Sequence, residues 1–176
     1  MAPPLVPVLS LLPDAVLDLR YAGEDNFVGR AVYPAGFAAC LRRPALERLA
    51  VAAAALRARG LRLVIFDAYR PLSAQKALWE AAPDRRFVAD PARGSMHNRG
   101  AAVDCGLADA SGRALAMPSG FDEFSERAAH AYRGGDASAL SRRDALRAAM
   151  EGAGFSALAA EWWHYSDPLG AGWPLL

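Results

Sequence analysis

The 176-residue sequence predicts an α+β fold. Three observations carry that reading. Helical and extended patterns mix along the chain without the regular strand–helix–strand alternation of a parallel α/β protein. Residues 44–59 show a helical apolar stripe, bounded by Pro44 and Gly60. Residues 61–66 (LRLVIF) and 161–166 (EWWHYS) are short and rich in β-branched or aromatic residues, which favours strands.

The first 40 residues read as loop-rich with short extended pieces, of which 15–19 is a strand candidate. Residues 21–30 (YAGEDNFVGR) are polar and contain glycine, so they read as loop. In the helix over 44–59, Pro44 suits the first turn and Gly60 the stop, and Leu46, Leu49, Ala53 and Leu56 form the stripe. The strand 61–66 ends at Asp67-Ala68-Tyr69-Arg70-Pro71, because Pro71 disfavours a helical Arg70. A second helix is expected over 73–81, capped by Ser73. Residues 83–100 read as a long loop, and loops of that length in a small fold often carry function. A short strand is expected at 101–105 and a turn-rich connection over 106–120. Helices are expected over 123–131 and over 141–152, the latter capped by Ser141 and stopped at Gly152 or Gly154. No internal repeat, linker or low-complexity stretch interrupts this order, and one domain over 1–176 is expected.

Composition narrows the function. At 53% hydrophobic and 22% charged residues, the chain is expected to fold rather than stay disordered. Twenty basic and 19 acidic residues give a net charge of +1, so neither a nucleic-acid groove nor a polybasic membrane patch is indicated. No run approaches the ~20 apolar residues that span a bilayer. The N-terminal segment carries Pro3, Pro4, Pro7 and Pro13 and lacks the basic start and continuous apolar centre of a secretory signal. A soluble, cytoplasmic protein is expected, although a mature exported chain has the same appearance. Cys40 and Cys105 are too few for a disulfide scaffold and lack zinc-finger spacing. They read as two buried thiols, with one disulfide open if the protein is exported.

The chemistry concentrates around two of the three histidines. A catalytic zinc takes three protein ligands and keeps one position for water. His97, Asp104 and His164 supply such a set. Residues seven apart on one straight strand point to opposite faces, so His97 and Asp104 converge only if the chain turns at Asn98-Arg99-Gly100. The alternative is a solvated loop histidine and an ordinary strand-end aspartate. Glu161 and His164 are three apart, and on a strand a bulge or twist is needed to bring both to one metal. With that bend, Glu161 suits a general base; without it, Glu161 sits at the rim of an aromatic sheet. Arg70 ends a buried strand and either faces a cleft as an oxyanion donor or pairs with Asp67. His130 has no partner pattern and reads as a surface or partly buried residue.

YAGEDNFVGR at 21–30, FDAYRP at 66–71, SMHNRGAAVD at 95–104, GFDEF at 120–124 and EWWHY at 161–165 occur in this order. Together they resemble the D-alanyl-D-alanine dipeptidases, a family of zinc peptidases. The S-x-H-x-x-G-x-A-x-D pattern is shared with a broader group of wall-cleaving peptidases; the flanking motifs narrow the match. The resemblance implies a central antiparallel sheet flanked by helices and holding one zinc. It implies His97, Asp104 and His164 as ligands, Glu161 as general base, and Arg70 as the group that binds the oxygen of the tetrahedral intermediate. It further implies Asp122 as partner of the substrate's free amino group, with Ser95 and Tyr21 lining the pocket. The implied substrate is a small dipeptide, D-Ala-D-Ala. The rivals are a related D,D- or L,D-carboxypeptidase of wall peptides, or a zinc-holding module without catalysis. The chain departs from the family pattern in a shorter stretch before Ser95, in Leu78 where an aromatic residue is familiar, and in the segment after Asp122.

Overall fold

The computed structural model describes residues 2–84 and 88–176. Among these residues it contains three α-helices and two sheets, an α+β architecture. Strands β1 (Leu5–Pro7) and β3 (Cys40–Arg42) pair antiparallel as a small two-stranded sheet. The main sheet contains β2 (Val16–Leu17), β4 (Arg62–Asp67), β5 (Ala102–Ala108), β6 (Ser156–Leu158) and β7 (Glu161–Ser166), in the order β2-β4-β5-β7-β6. Its pairings are antiparallel from β4 to β6, and β2 adds in parallel at the edge of β4, so the sheet is mixed.

Helix α1 (Arg43–Arg57) follows β3 directly, with Pro44 in its first turn. All four residues of the expected stripe, Leu46, Leu49, Ala53 and Leu56, are buried. Each leucine contributes roughly 1.5–3 kcal/mol on transfer from water. They join Leu63, Val64, Ile65, Val103, Cys105, Trp162 and Tyr165 of the sheet in one core with Leu146 and Met150. A smaller cluster of Tyr21, Tyr33, Ala74, Leu78 and Val88 lies beside it. No described helix is long and apolar enough to cross a membrane.

Several elements differ from the sequence expectation. Strand β5 runs on through Ala108, into residues read as a connection, and all seven of its residues are buried. Gly106 makes this fit: a Cβ there would lie 2.9 Å from the Phe66 ring on β4. Helix α2 (Leu72–Ala81) starts one residue before Ser73, with Pro71 at its cap position and no side-chain cap bond. Helix α3 (Ala137–Gly152) starts earlier than Ser141, because the Asp136 carboxylate accepts from the N–H groups of Ser138 and Ala139. Over 123–131 only a 3-10 turn forms, Glu126–Ala128. There the Glu123 carboxylate accepts from Gly120 N–H and Ser125 Oγ, and His130 N–H donates to Ala159 O, so local and cross-chain bonds replace the helical ladder. His130 is buried, not at the surface, and desolvation together with Arg147 and Arg143 pushes its pKa down to about 4. Cys40 and Cys105 are unpaired, and Cys40 is only half-buried. Of the loop expected over 83–100, residues 85–87 lie outside the described residues.

Candidate active site

The main sheet aligns three polar side chains across its middle strands. Asp67 on β4 stands opposite Asp104 on β5, which stands opposite His164 on β7. The first pairing depends on a bulge: Ile65 faces Cys105, yet Asp67 faces Asp104, so Phe66 is the extra residue on β4.

His97 reaches this row from outside the strand. It begins a 3-10 turn, His97–Arg99, that ends at Gly100 with φ 65°. That left-handed conformation favours glycine, and a Cβ at Gly100 would also lie 2.7 Å from Leu5 and 3.2 Å from Arg42. The chain reverses there and enters β5, which delivers the convergence of His97 and Asp104 that the sequence required. His97 is buried rather than solvated.

The irregularity needed at Glu161 is also present. On the β6–β7 ladder Ala157 faces Tyr165, yet Leu158 faces Glu161, leaving residues 162–164 of β7 without partners on β6. Trp162 and Trp163 are consecutive and both buried, which a strand with strict alternation does not allow when one face is open. Their rings meet edge to face at 5.4 Å, and Trp162 Nε1–H donates to Ser119 Oγ. Glu161 and His164 therefore line one cavity.

Three donor atoms meet there. His97 Nε2 lies 3.1 Å from His164 Nδ1 and 3.3 Å from Asp104 Oδ1, and His164 Nδ1 lies 3.0 Å from the same oxygen. His97 Nδ1–H donates to Ala68 O at 2.7 Å, which turns the Nε2 lone pair toward the other two atoms. His164 Nε2 is 2.9 Å from Ser166 Oγ. With the proton on Nε2, the Nδ1 lone pair points to the same spot. Two imidazole lone pairs and a carboxylate oxygen facing one another repel unless a cation sits among them. His97, Asp104 and His164 are the one such group among the described residues, and this N,N,O set fits a metal ion of zinc type. Burial pushes the Asp104 carboxyl up, but the His97 and His164 imidazoles outweigh it and hold the carboxyl well below the usual range.

The remaining sequence candidates surround the same cavity of about 410 Å³. Glu161 is half-buried; desolvation, with Asp104 and Asp122 nearby, raises its pKa to about 7 against the opposing pull of His164. Arg70 is buried and both of its anticipated roles coexist. Its Nε and Nη2 lie 2.8 and 2.7 Å from Asp67 Oδ2, and its guanidinium sits 5.1 Å over the Tyr21 ring while still lining the cavity. Asp67 is itself held by Tyr33 OH and Ala68 N–H. Asp122 has φ 56°, the sole non-glycine residue with positive φ among those described. Its Oδ2 accepts from Tyr21 OH at 2.7 Å. Burial is the main cause that raises Asp122 to about 7, with Asp104 and Asp67 adding to it and Tyr21 opposing. Ser95 lines the cavity too, but its hydroxyl lies 3.0 Å from Asn98 Oδ1 and is committed inside the protein.

The profile of the peptidase M15 family, described as D-Ala-D-Ala dipeptidase, matches residues 1–172. The chain belongs to that family. It is 44% identical over 174 residues to the D-alanyl-D-alanine dipeptidase of Escherichia coli K12, covering 98% of this chain and 89% of the relative. The D-alanyl-D-alanine dipeptidases of Enterococcus faecium and Enterococcus faecalis are 32% and 34% identical, each match covering 84% of this chain and 83% of the relative. As a member of peptidase M15, the chain is a metallopeptidase, and the triad above is where the described residues can hold its metal.

Sequence reasoning did not single out Gln75 or Ser166, and it read Asn98 only as a turn residue. Gln75 and Asn98 are fully buried. Asn98 Nδ2–H donates to Arg70 O, Asn98 Oδ1 accepts from Ser95 N–H, and Arg70 N–H donates to His97 O. These bonds tie the Arg70 segment to the turn that carries His97. Asn98 lies inside a quoted motif, but nothing in its spacing tells a turn residue from a buried hub.

Proposed function

We propose that residues 1–176 form one zinc-dependent dipeptidase domain that hydrolyses D-alanyl-D-alanine. The observation that carries the reading is the convergence of His97, Asp104 and His164 in a cavity that also holds Glu161, Arg70 and Asp122. The names of the relatives supply the substrate class.

Bound by His97 Nε2, Asp104 and His164 Nδ1, zinc supplies Lewis acidity and lowers the pKa of water. Glu161 takes the proton of the attacking water and returns it to the leaving amine, from a half-buried place on the wall of the cavity that holds the triad. Arg70, braced by Asp67, presents its remaining N–H groups to the oxygen of the tetrahedral intermediate. Asp122, oriented by Tyr21, pairs with the substrate's ammonium. A carboxylate paired in this way favours free dipeptides over acylated ones, because an acylated amine leaves it without its counter-charge. Two unpaired thiols agree with a reducing, cytoplasmic setting.

The test is metal analysis of the purified protein coupled to amine release from D-Ala-D-Ala, L-Ala-L-Ala and N-acetyl-D-Ala-D-Ala. About one zinc per chain and strong preference for the free D,D-dipeptide are expected. Equal kcat/KM for the free and acetylated dipeptides rules out the dipeptidase assignment and favours a carboxypeptidase, while a zinc-loaded protein without hydrolysis favours a binding module.

A further inference from the structure

The Gln75 side chain is an amide buried completely on α2, a costly place for it unless both ends are paired. Both are. Oε1 accepts from Arg70 Nη1 at 2.9 Å and, at 3.4 Å, from Ser95 Oγ, and Nε2–H donates to Ala89 O at 2.7 Å. On the same helix, Ala74 and Leu78 pack into the small core cluster. Gln75 alone among these three buried α2 residues spends its side chain on polar groups of the cavity wall.

A guanidinium has five N–H groups. Asp67 Oδ2 takes one from Nε and one from Nη2, which restrains one edge of the plane. The Tyr21 ring covers a face. The Nη1 end is left for Gln75, and with that bond made, one N–H without a short hydrogen bond remains on each Nη, Nη2 lying 3.7 Å from Asp104 Oδ2. We infer that Gln75 is a positioning residue for Arg70, fixing the Nη1 end of the guanidinium so that its two spare N–H groups are aimed before the substrate's oxygen develops charge. The inference rests on the oxyanion role proposed above for Arg70 and adds to it the residue that sets the aim. Preorganised donors act on the transition state more than on the bound substrate, so the loss belongs in kcat. Gln75 also touches Ala89 and Ser95, which line the cavity, and the experiment has to separate these contacts from the one to Arg70.

A double-mutant cycle on D-Ala-D-Ala hydrolysis by the metal-loaded enzyme does so. Gln75→Met keeps the shape and removes all three bonds. It is expected to lower kcat by about 10-fold or more with KM within about threefold, and to change kcat by less than about twofold when added to Arg70→Ala. Gln75→Glu keeps the acceptor for Arg70 and gives up the donor to Ala89 O; it is expected to hold kcat within about threefold of wild type. Equal losses from Gln75→Met in both backgrounds, an unchanged kcat in Gln75→Met, or a Gln75→Glu as slow as Gln75→Met each overturn the positioning role while Arg70 keeps its own. An unchanged kcat in Arg70→Ala overturns the Arg70 role, and the inference with it.

Discussion

The two halves of the cavity are built differently. The His97–Asp104–His164 half rests on the ladder of β4, β5 and β7, where pairing register sets Asp104 and His164, and on the 3-10 turn that brings His97 to them. The Tyr21–Asp122 half rests on loops, held by one hydroxyl–carboxylate bond at 2.7 Å, by a backbone at positive φ, and by edge-to-face contacts of Tyr21 with Phe27 and Phe121. The ladder half is cooperative: a residue displaced there disturbs neighbours on two strands. The loop half is local, so substitutions in it alter the recognition of one substrate group and leave the rest standing. In the proposed mechanism the bond-breaking chemistry sits on the ladder and selectivity on the loops.

The comparison breaks first at His164. His164→Ala is expected to abolish hydrolysis and metal binding together, since two remaining ligands hold zinc poorly. Full zinc occupancy in that variant, read by metal analysis after dialysis, removes His164 from the ligand set.

Glu161 sharpens the picture within the ladder half. Glu161→Ala leaves the triad intact and is expected to lower kcat by ~10²-fold or more with zinc content unchanged. Retention of most turnover makes Glu161 a structural residue of the β6–β7 irregularity.

The loop half answers next. N-acetylation of D-Ala-D-Ala is expected to reduce kcat/KM by ~10²-fold or more, from the unpaired carboxylate it leaves. Asp122→Asn is expected to lose most activity on the free dipeptide and to discriminate less against the acetylated one, with zinc content unaltered. Zinc loss in Asp122→Asn contradicts the independence of the two halves.

Asp122 also predicts a pH effect on the metal-free protein. Its folded pKa, about 7, lies above the ordinary 3.8, so the fold favours the protonated carboxyl. The associated stability is fully present below about pH 4 and is lost as pH rises through 7. Relative to Asp122→Asn, wild type is expected to lose about 1–3 kcal/mol between pH 4 and 8, read from denaturant midpoints. Parallel curves for the two proteins contradict the desolvation of this half-buried carboxylate. The smallest effect belongs to Tyr21→Phe, which removes a single bond to Asp122. A rise in KM of about 3–10-fold with kcat nearly unchanged is expected; a drop in kcat instead assigns Tyr21 to the chemistry through its contact with Arg70.

Much of this architecture is legible in the sequence. Local rules suffice for α1, where proline, glycine and the apolar stripe agree, and for β4 and β7, where aromatic and β-branched residues crowd short segments. The motifs at 21–30, 66–71, 95–104, 120–124 and 161–165 mark the candidate residues, and all eight line one cavity. The requirement for a turn at Asn98-Arg99-Gly100 and for an irregularity near Glu161 follows from strand alternation alone. Local rules fail where the decisive bond comes from afar or from an unexpected cap. Ser125, Glu123 and the Ala159 carbonyl cancel the helix over 123–131, and Asp136 moves the start of α3.

The sequence by itself therefore determined the residue types of the site, the class of fold and the strands and helix that local pattern enforces. Only the tertiary structure decided that Asp104 faces His164 across 60 residues of chain, that a bulge at Phe66 sets Asp67 in the same row, and that Gln75 and Asn98 hold Arg70 in place. The physical reason is that pairing register and bulge position minimise the free energy of the whole sheet, through packing such as Gly106 against Phe66, and no short window of sequence contains both partners of such a contact.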